Sequence, residues 1–201
     1  MKKSLLLLPC VLIAAALALS ACGGGSSSSG GSGDETAIEG AIETAATSTD
    51  PSKCTEVQTQ KFNEAETGTS GKASLKACEQ EAEEDESPAE SVTVSNVEVD
   101  GETATAQVEV GGGALNSQGI ELELAKEEGN WKLNQFLQFT NFDAKALGEG
   151  LEEKLLEENG ISASLAKCIS EGVAGISQSD AEELAFESNL EPIEKLVESC
   201  K

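Results

Sequence analysis

The sequence predicts an α+β fold, with N-terminal helices packed on a curved, antiparallel, four-stranded meander and a small all-helical segment after it. Two changes in the spacing of apolar residues indicate this order. Apolar residues recur at helical spacing before about residue 85, alternate with polar residues between Val92 and Phe139, and return to helical spacing afterwards. We therefore place an α+β domain at residues 34–140 and a helical C-terminal region at residues 141–201.

Three helices are predicted before the strands. The first has one apolar face, which holds Ile38, Ile42, Ala45 and Ala46. Asp50 and Pro51 are typical of an N-cap and a first helical position, so a second helix starts there and ends at Gly68. Its apolar face holds Cys54, Val57, Phe62 and Ala65. The third helix covers about residues 72–84, with an apolar side formed by Leu75, Cys78 and Ala82.

The first two strands are predicted to form a hairpin with a β-bulge. Asp100-Gly101 is a strong two-residue turn signal, and the following strand alternates cleanly through Ala104, Ala106, Val108 and Val110. With a turn there, the apolar faces of both strands agree only if one extra residue is inserted at Ser95-Asn96. We therefore predict a bulge at that position, which bends the strand as a curved sheet requires. The expected pairs are Val97 with Ala104, Val94 with Ala106 and Val92 with Val108.

The last two strands form a second predicted hairpin. Gly111–Gly113 lacks the lysine and the following helix of a phosphate-binding loop, so we interpret it as a simple connection. The third strand alternates glutamate with Ile120, Leu122 and Leu124. Gly129-Asn130 turns the chain, and the fourth strand carries the apolar residues Trp131, Leu133, Leu137 and Phe139.

The C-terminal region is predicted to contain short amphipathic helices. One apolar stripe ends at Asn159-Gly160 and consists of Leu147, Leu151 and Leu155. A second consists of Leu165, Cys168, Ile169 and Val173. Ser179 and Glu182 have the spacing of a capping box before Leu184. The last apolar face holds Ile193, Leu196, Val197 and Cys200. The sequence leaves open whether these helices pack on the sheet or stand apart.

The N-terminus has the pattern of an export signal. Lys2 and Lys3 precede an apolar run of about fifteen residues, which is shorter than the roughly twenty residues that span a bilayer. Leu19-Ser20-Ala21-Cys22 matches the lipobox of bacterial lipoproteins. That resemblance implies a signal peptide at residues 1–21, cleavage between Ala21 and Cys22, and a diacylglycerol thioether on the Cys22 sulfur. The alternatives are a short transmembrane anchor, or an ordinary secretory cut that leaves Cys22 as a free thiol.

Residues 22–33 form the lipidated cysteine and a Gly/Ser tether. Eleven glycine and serine residues follow Cys22, and such a coil spans about 17–20 Å on average. The expected localisation is the cell membrane, with the protein lipid-anchored and facing the extracytoplasmic side.

Four cysteines remain after Cys10 is removed with the signal peptide and Cys22 is lipidated. Outside the membrane disulfides persist, and four cysteines allow three connectivities. We favour Cys54–Cys78 and Cys168–Cys200, because the two members of each pair fall in one structural neighbourhood. Each bridge contributes about 3–4 kcal/mol in the chain-entropy model. A metal site is disfavoured by the lack of histidine and of C-x-x-C spacing, so we expect neither metal nor cofactor.

Charge excludes several classes of partner. The formal net charge is −24, and it becomes −26 when Lys2 and Lys3 leave with the signal peptide. Nucleic acid is excluded, because neutralising phosphates needs clustered lysine or arginine. Peripheral adhesion to anionic lipid is disfavoured for the same reason, so membrane residence depends on the covalent anchor.

Composition also argues against an enzyme. The chain has no histidine, tyrosine or arginine, so a nucleophilic triad with an imidazole base cannot be built. No carboxylate pair stands out among 37 acidic residues. The acidic run at residues 79–86 lacks the calcium-loop pattern and is interpreted as a solvated helix end. We therefore predict no catalytic residues.

The order of elements resembles a known superfamily. Helices followed by a bent meander, with Glu127-x-Gly-x-Trp-x-Leu133 across its last hairpin, resemble the nuclear-transport-factor-like α+β roll, in particular its uncharacterised lipoprotein branch. The likeness covers about residues 35–140, and the tail resembles small cysteine-paired helical tails. It implies a cone in which the sheet wraps the helices around an apolar pocket. The candidates for the pocket or for the core are Phe62, Trp131, Leu133 and Phe136, and core is the favoured role. Enzymes of this superfamily use Tyr, His and Asp, and two of those types are absent here.

Two functions remain open. The first is a non-catalytic binding module that holds a small apolar ligand in the pocket. The second is an envelope protein that contacts another protein or the cell wall without a small-molecule ligand.

Overall fold

The computed structural model describes residues 32–84, 88–157, 161–186 and 191–200. Within them, four helices precede a four-stranded antiparallel meander and four follow it, which confirms the predicted α+β class. The predicted signal peptide, Cys22 and the tether up to residue 31 lie outside the described residues, as does the predicted stop at Asn159-Gly160. In chain order the elements are α1 Ser32–Thr47, α2 Lys53–Glu56, α3 Gln60–Thr67, α4 Lys72–Glu84, β1 Ser91–Asp100, β2 Thr103–Gly111, β3 Gly119–Glu127, β4 Asn130–Asn141, α5 Ala144–Glu157, α6 Ala163–Val173, α7 Gln178–Phe186 and α8 Glu191–Ser199.

The predicted second helix is broken into α2 and α3. The segment between them pairs with β4: Thr59 N donates to Leu133 O at 2.9 Å, and Leu133 N donates to Val57 O at 2.9 Å. These two bonds satisfy backbone N–H and C=O groups at the edge of β4. Local helix propensity does not predict a break that depends on a distant strand. Thr59 then caps α3, its hydroxyl accepting from Phe62 N at 3.1 Å. Gly68 ends α3 in the left-handed conformation, as predicted.

Asp50 opens the turn before α2. Its carboxylate accepts the backbone N–H of Ser52 at 3.0 Å, and that backbone bond, with the Ser52 side chain and Lys53, holds the pKa of Asp50 below its usual value. The regular helix begins two residues later than predicted, at Lys53.

The last helix before the sheet, α4, has the predicted bounds of residues 72–84.

The β-bulge in β1 is confirmed, but the hairpin register is not. The pairing shifts between Ser95 and Glu98, where two residues of β1 face only Ala106, and Asn96 has a φ of 51°. The turn lies at residues 101–102 instead of 100–101, because Gly101 takes the first central position with a φ of 64°. The observed pairs are therefore Val99 with Ala104, Val94 with Val108 and Val92 with Val110.

The second hairpin also turns one residue away from the prediction. Glu127 pairs with Asn130, so the turn residues are Glu128 and Gly129, with φ values of 52° and 87°. Along β4 the register shifts three times, and residues 133, 136 and 139 face Leu124, Leu122 and Ile120. These shifts change which side chains point inward. Leu137, which the sequence grouped with the apolar residues of the fourth strand, is 37% exposed. Phe136, a predicted pocket or core residue, packs against the main core.

The main core lies between the first helices and one face of the sheet. Ile38 and Ile42 of α1 and Phe62 of α3 contribute from the helices. The sheet contributes Ala104, Ala106, Val108, Leu122, Leu124, Trp131 and Leu133, all buried. This alternation on β2 and β3 is the one that the sequence predicted.

The helical tail packs on the sheet through α7. Phe186 lies 5.1 Å from Phe136 and 4.7 Å from Phe139 between ring centroids. Phe136 also meets Phe62, and Phe139 meets Phe142, so all five phenylalanines of the chain form one connected cluster. The question that the sequence left open is thereby answered: the tail is part of the same packed body.

Polar contacts also join α7 to the sheet. Gln178 Nε2 donates to Phe139 O at 2.9 Å, and Phe139 N donates to Glu182 Oε1 at 2.9 Å. Glu182 is therefore not half of a capping box with Ser179. The helix is capped two residues earlier, where Ser177 Oγ accepts from Asp180 N at 3.2 Å. Together with the pairing at Leu133, these bonds cover two stretches of the β4 edge.

Two disulfides connect the helices. Cys54 of α2 is bonded to Cys78 of α4, with an S–S distance of 2.03 Å. Cys168 of α6 is bonded to Cys200, with an S–S distance of 1.99 Å. This is the connectivity that the sequence favoured.

Candidate functional site

A cleft of about 290 Å³ lies between the first helices and the sheet. α1 and α3 form one wall, all four strands contribute to the other, and the connection after β2 and Lys154 of α5 complete it. Its lining is mainly aliphatic and aromatic: Ile42, Ala45, Phe62, Val92, Val108, Val110, Leu122, Leu133 and Phe136. A cleft of this kind results when a helix pair does not fill the space that a bent sheet encloses.

Three of the four predicted pocket residues line the cleft. Phe62 of α3 and Leu133 of β4 are buried, and Phe136 of β4 is half-buried. Phe62 and Phe136 meet edge to face, with centroids 5.1 Å apart. The two rings therefore form a rigid aromatic side to the cleft, on which an apolar molecule can pack.

Trp131 does not line the cleft. It is 4% exposed and belongs to the main core, and its indole Nε1 donates to Asp34 Oδ1 at 2.8 Å. Lys126 donates to the same carboxylate oxygen at 2.7 Å and lies 5.2 Å from the indole ring. These two donors hold the pKa of Asp34 below its usual value. The role of Trp131 in the structure is to tie the start of α1 to the last hairpin.

Sequence reasoning missed most of the remaining lining. Ile42 and Ala45 were predicted as the apolar face of α1, and they contribute to the cleft as well as to the core. Glu66 was not singled out, although it lies four residues after Phe62 and so on the same side of the helix. A glutamate on an apolar helix face is a signal that could have been found. Lys154 joins the cleft from α5, through tertiary packing that no local pattern encodes.

Glu66 is the unusual charged group of the cleft. The Glu66 side chain is exposed to solvent, and it is also one of the residues that line the cleft. Desolvation by the surrounding protein, together with the negative charge of Glu81 on α4, raises the pKa of Glu66 to about 8. Burial also raises the pKa of Glu81. At neutral pH the Glu66 carboxyl is therefore mainly protonated, and it can donate a hydrogen bond into the cleft.

No family model, curated protein or solved structure matches this chain. The resemblance to the nuclear-transport-factor-like superfamily therefore stays a prediction, and any function has to be inferred from the site itself. In the parts of the chain that the structure describes, no helix is long and apolar enough to cross a membrane. The same residues contain no group of three or more metal-ligating side chains.

The cleft offers few polar groups. Of its lining residues, Glu66 and Lys154 are the two whose side chains exchange protons, and Gln58 adds an amide. The cysteines of the described residues are all in disulfides, so they offer no thiolate nucleophile there. An apolar surface with a few polar groups is the usual composition of a small-molecule site.

A second cavity, of about 260 Å³, has a different character. Its lining is mostly polar and includes Gln60, Lys72, Ser74 and Lys132, and it shares Gln58 with the apolar cleft. Asn63 is buried beside it and donates its amide N–H to Cys54 O at 2.8 Å.

Proposed function

We propose that the chain is a membrane-anchored, extracytoplasmic lipoprotein that acts as a non-catalytic binding module for a small apolar ligand. The observation that supports this function is the cleft of about 290 Å³ between α1, α3 and the sheet, with its largely apolar lining. That volume corresponds to about ten water molecules, which is room for an aliphatic chain of about ten carbons. Apolar area buried there favours binding by about 25 cal/mol per Å².

The surrounding structure supports a preformed site. α1 packs on β1 and β4 through Ile38 and Ile42, and the Cys54–Cys78 bridge fixes α2 against α4 next to α3. The cluster of five phenylalanines extends from the cleft to α7. A site with rigid walls loses little conformational entropy when a ligand enters, so more of the apolar burial contributes to affinity.

The membrane anchor is the second part of the proposal. The lipobox at residues 19–22 supports lipidation of Cys22, and the Gly/Ser tether then holds the cleft close above the bilayer. In a bacterial host, the wild-type chain should partition into the detergent phase of Triton X-114, and Cys22→Ser should appear in the aqueous phase. A Cys22→Ser chain that remains membrane-bound would contradict lipidation as the means of anchoring.

Ligand binding is tested by calorimetry on the mature chain with Cys22→Ser, so that no detergent competes. We expect 1-decanol to bind with a Kd of about 10 μM, which corresponds to about −0.6 kcal/mol per heavy atom. Ala45→Phe places a ring in the cleft and should weaken this binding about tenfold or more. The matched control is Ala73→Phe, which adds the same ring at an exposed position of α4 and should leave the affinity within twofold.

Equal binding by the two phenylalanine variants would show that decanol binds elsewhere. No binding to the wild-type cleft would contradict a ligand-binding role and favour the alternative, an envelope protein that contacts another protein or the cell wall.

A further inference from the structure

We propose that the cleft selects an amphiphile with a primary ammonium group, which places its alkyl chain on the apolar lining and its ammonium on the Glu66 carboxylate. This inference rests on the proposed ligand-binding function and specifies the chemical class of the ligand. Its basis is the position of Glu66 on α3, one turn beyond Phe62 and within the lining of the cleft. A ligand whose chain lies against Phe62 therefore brings its polar end near the Glu66 carboxyl.

The charges around Glu66 favour a cation. Glu81 of α4 is close enough for its negative charge to act on Glu66, and α4 continues into more glutamates at Glu83 and Glu84. Lys154 contributes one positive charge to the lining, which opposes a cation and is outnumbered by the carboxylates of Glu66 and Glu81. On the remaining sides, Glu64 of α3 accepts from Gly71 N, and Glu182 of α7 is engaged with Phe139 and Gln178. The chain as a whole carries a formal charge of −24, so its field attracts cations and repels fatty acids.

The protonation state of Glu66 makes the proposal distinctive. With the pKa of Glu66 raised to about 8 by burial and by Glu81, the carboxyl holds its proton at neutral pH until a cation arrives. An ammonium ion at hydrogen-bond distance favours the carboxylate, so the pKa of Glu66 falls on binding and its proton passes to the buffer. A primary ammonium ion keeps its own proton, because its pKa is about 10.4 in water. Binding at pH 7 should therefore release close to one proton per ligand, and affinity should rise as the pH approaches 8.

The test compares three ligands of equal chain length on the mature Cys22→Ser chain: decylammonium chloride, 1-decanol and sodium decanoate. Calorimetry at pH 7 in phosphate and in Tris, which differ in ionisation enthalpy, measures the protons released. We expect decylammonium to bind at least tenfold more tightly than decanol, and decanoate to bind more weakly than decanol. Proton release should accompany decylammonium alone.

Two variants locate the effect. Glu66→Gln should weaken decylammonium binding about tenfold, abolish proton release and leave decanol within twofold. Glu109→Gln removes the same formal charge from an exposed position on β2 and should change neither result. Circular dichroism of both variants checks that the fold is retained.

The possible failures are distinguishable. Equal affinities for decylammonium and decanol, a preference for decanoate, or an unchanged decylammonium affinity in Glu66→Gln would each overturn the ammonium proposal while a ligand-binding cleft stands. Failure of all three ligands to bind the wild-type cleft would overturn the binding function and the ammonium proposal with it.

Discussion

Replacing Phe186 with alanine should destabilise the whole fold, because this side chain joins the helical tail to the sheet. Its ring packs on Phe136 and Phe139 at centroid distances of 5.1 and 4.7 Å. Removing a fully buried phenylalanine costs roughly 3–5 kcal/mol, and Phe186 is only half-buried. We therefore expect Phe186→Ala to lower the free energy of unfolding by about 2–3 kcal/mol, which includes two aromatic contacts of roughly 1 kcal/mol each.

Urea unfolding followed by two signals is the assay. Fluorescence of Trp131, the single tryptophan of the chain, reports on the sheet, and far-ultraviolet circular dichroism reports on all helices. With an m-value of about 2 kcal/mol per molar, both transitions should move together by about 1 M to lower urea. As a control, Leu156→Ala removes a side chain that is 50% exposed on α5 and should cost less than about 0.5 kcal/mol. An early helical transition with an unchanged Trp131 midpoint would refute the reasoning, since the tail would then unfold independently of the sheet.

Three further expectations concern other parts of the fold. Removing the first disulfide with Cys54→Ser and Cys78→Ser should lower the unfolding free energy by about 3 kcal/mol; an unchanged melting temperature would contradict its structural role. The pKa of Glu66 is raised from 4.5 to about 8, so between about pH 4.5 and pH 8 the folded chain holds a proton that the unfolded chain has released. The free energy of unfolding therefore falls as the pH rises across this range. Glu66→Gln should remove this slope and stabilise the protein by about 1 kcal/mol at pH 9, allowing for partial solvent screening; identical pH profiles of wild type and variant would contradict this. Asn96→Val should cost about 1–2 kcal/mol in urea unfolding because Asn96 has a positive φ, and Asn96→Gly should be nearly neutral; an equally stable valine variant would place the bulge elsewhere.

The sequence predicted the features of the sheet that depend on apolar alternation. The β1 bulge could be inferred because the apolar faces of β1 and β2 match only when one residue is inserted. The predicted hairpin register was wrong because the turn can be placed at residues 100–101 or at residues 101–102. The structure uses Gly101 as the first central residue, and this choice moves every pair in the hairpin by two positions on β2.

Features that depend on distant partners could not be predicted. The break after α2 exists because Val57 and Thr59 bond to Leu133, more than seventy residues away. Leu137 is exposed because the pairing of β4 with β3 shifts three times, which alternation along β4 alone does not reveal. Glu182 was placed in a capping box from local spacing, but it accepts a hydrogen bond from Phe139 instead.

The candidate site was also predicted only in part. Phe62, Leu133 and Phe136 were identified as pocket or core, and all three line the cleft. Trp131 could not be separated from them by sequence, because it also points inward on β4. The structure buries it in the main core, away from the cleft lining. The cleft itself arises from the space that α1 and α3 leave against the sheet, and sequence patterns do not specify such a volume.

The most direct test of a ligand-binding cleft is a nuclear magnetic resonance titration of the mature Cys22→Ser chain with 1-decanol. The account predicts saturable shifts of methyl signals that line the cleft, including Ala45, Val110 and Leu122. Signals remote from it, such as Val99 at the far end of β1, should stay within error. Shifts that are absent at the cleft, or that concentrate on Leu137 and Leu156 at the surface, would contradict the central claim.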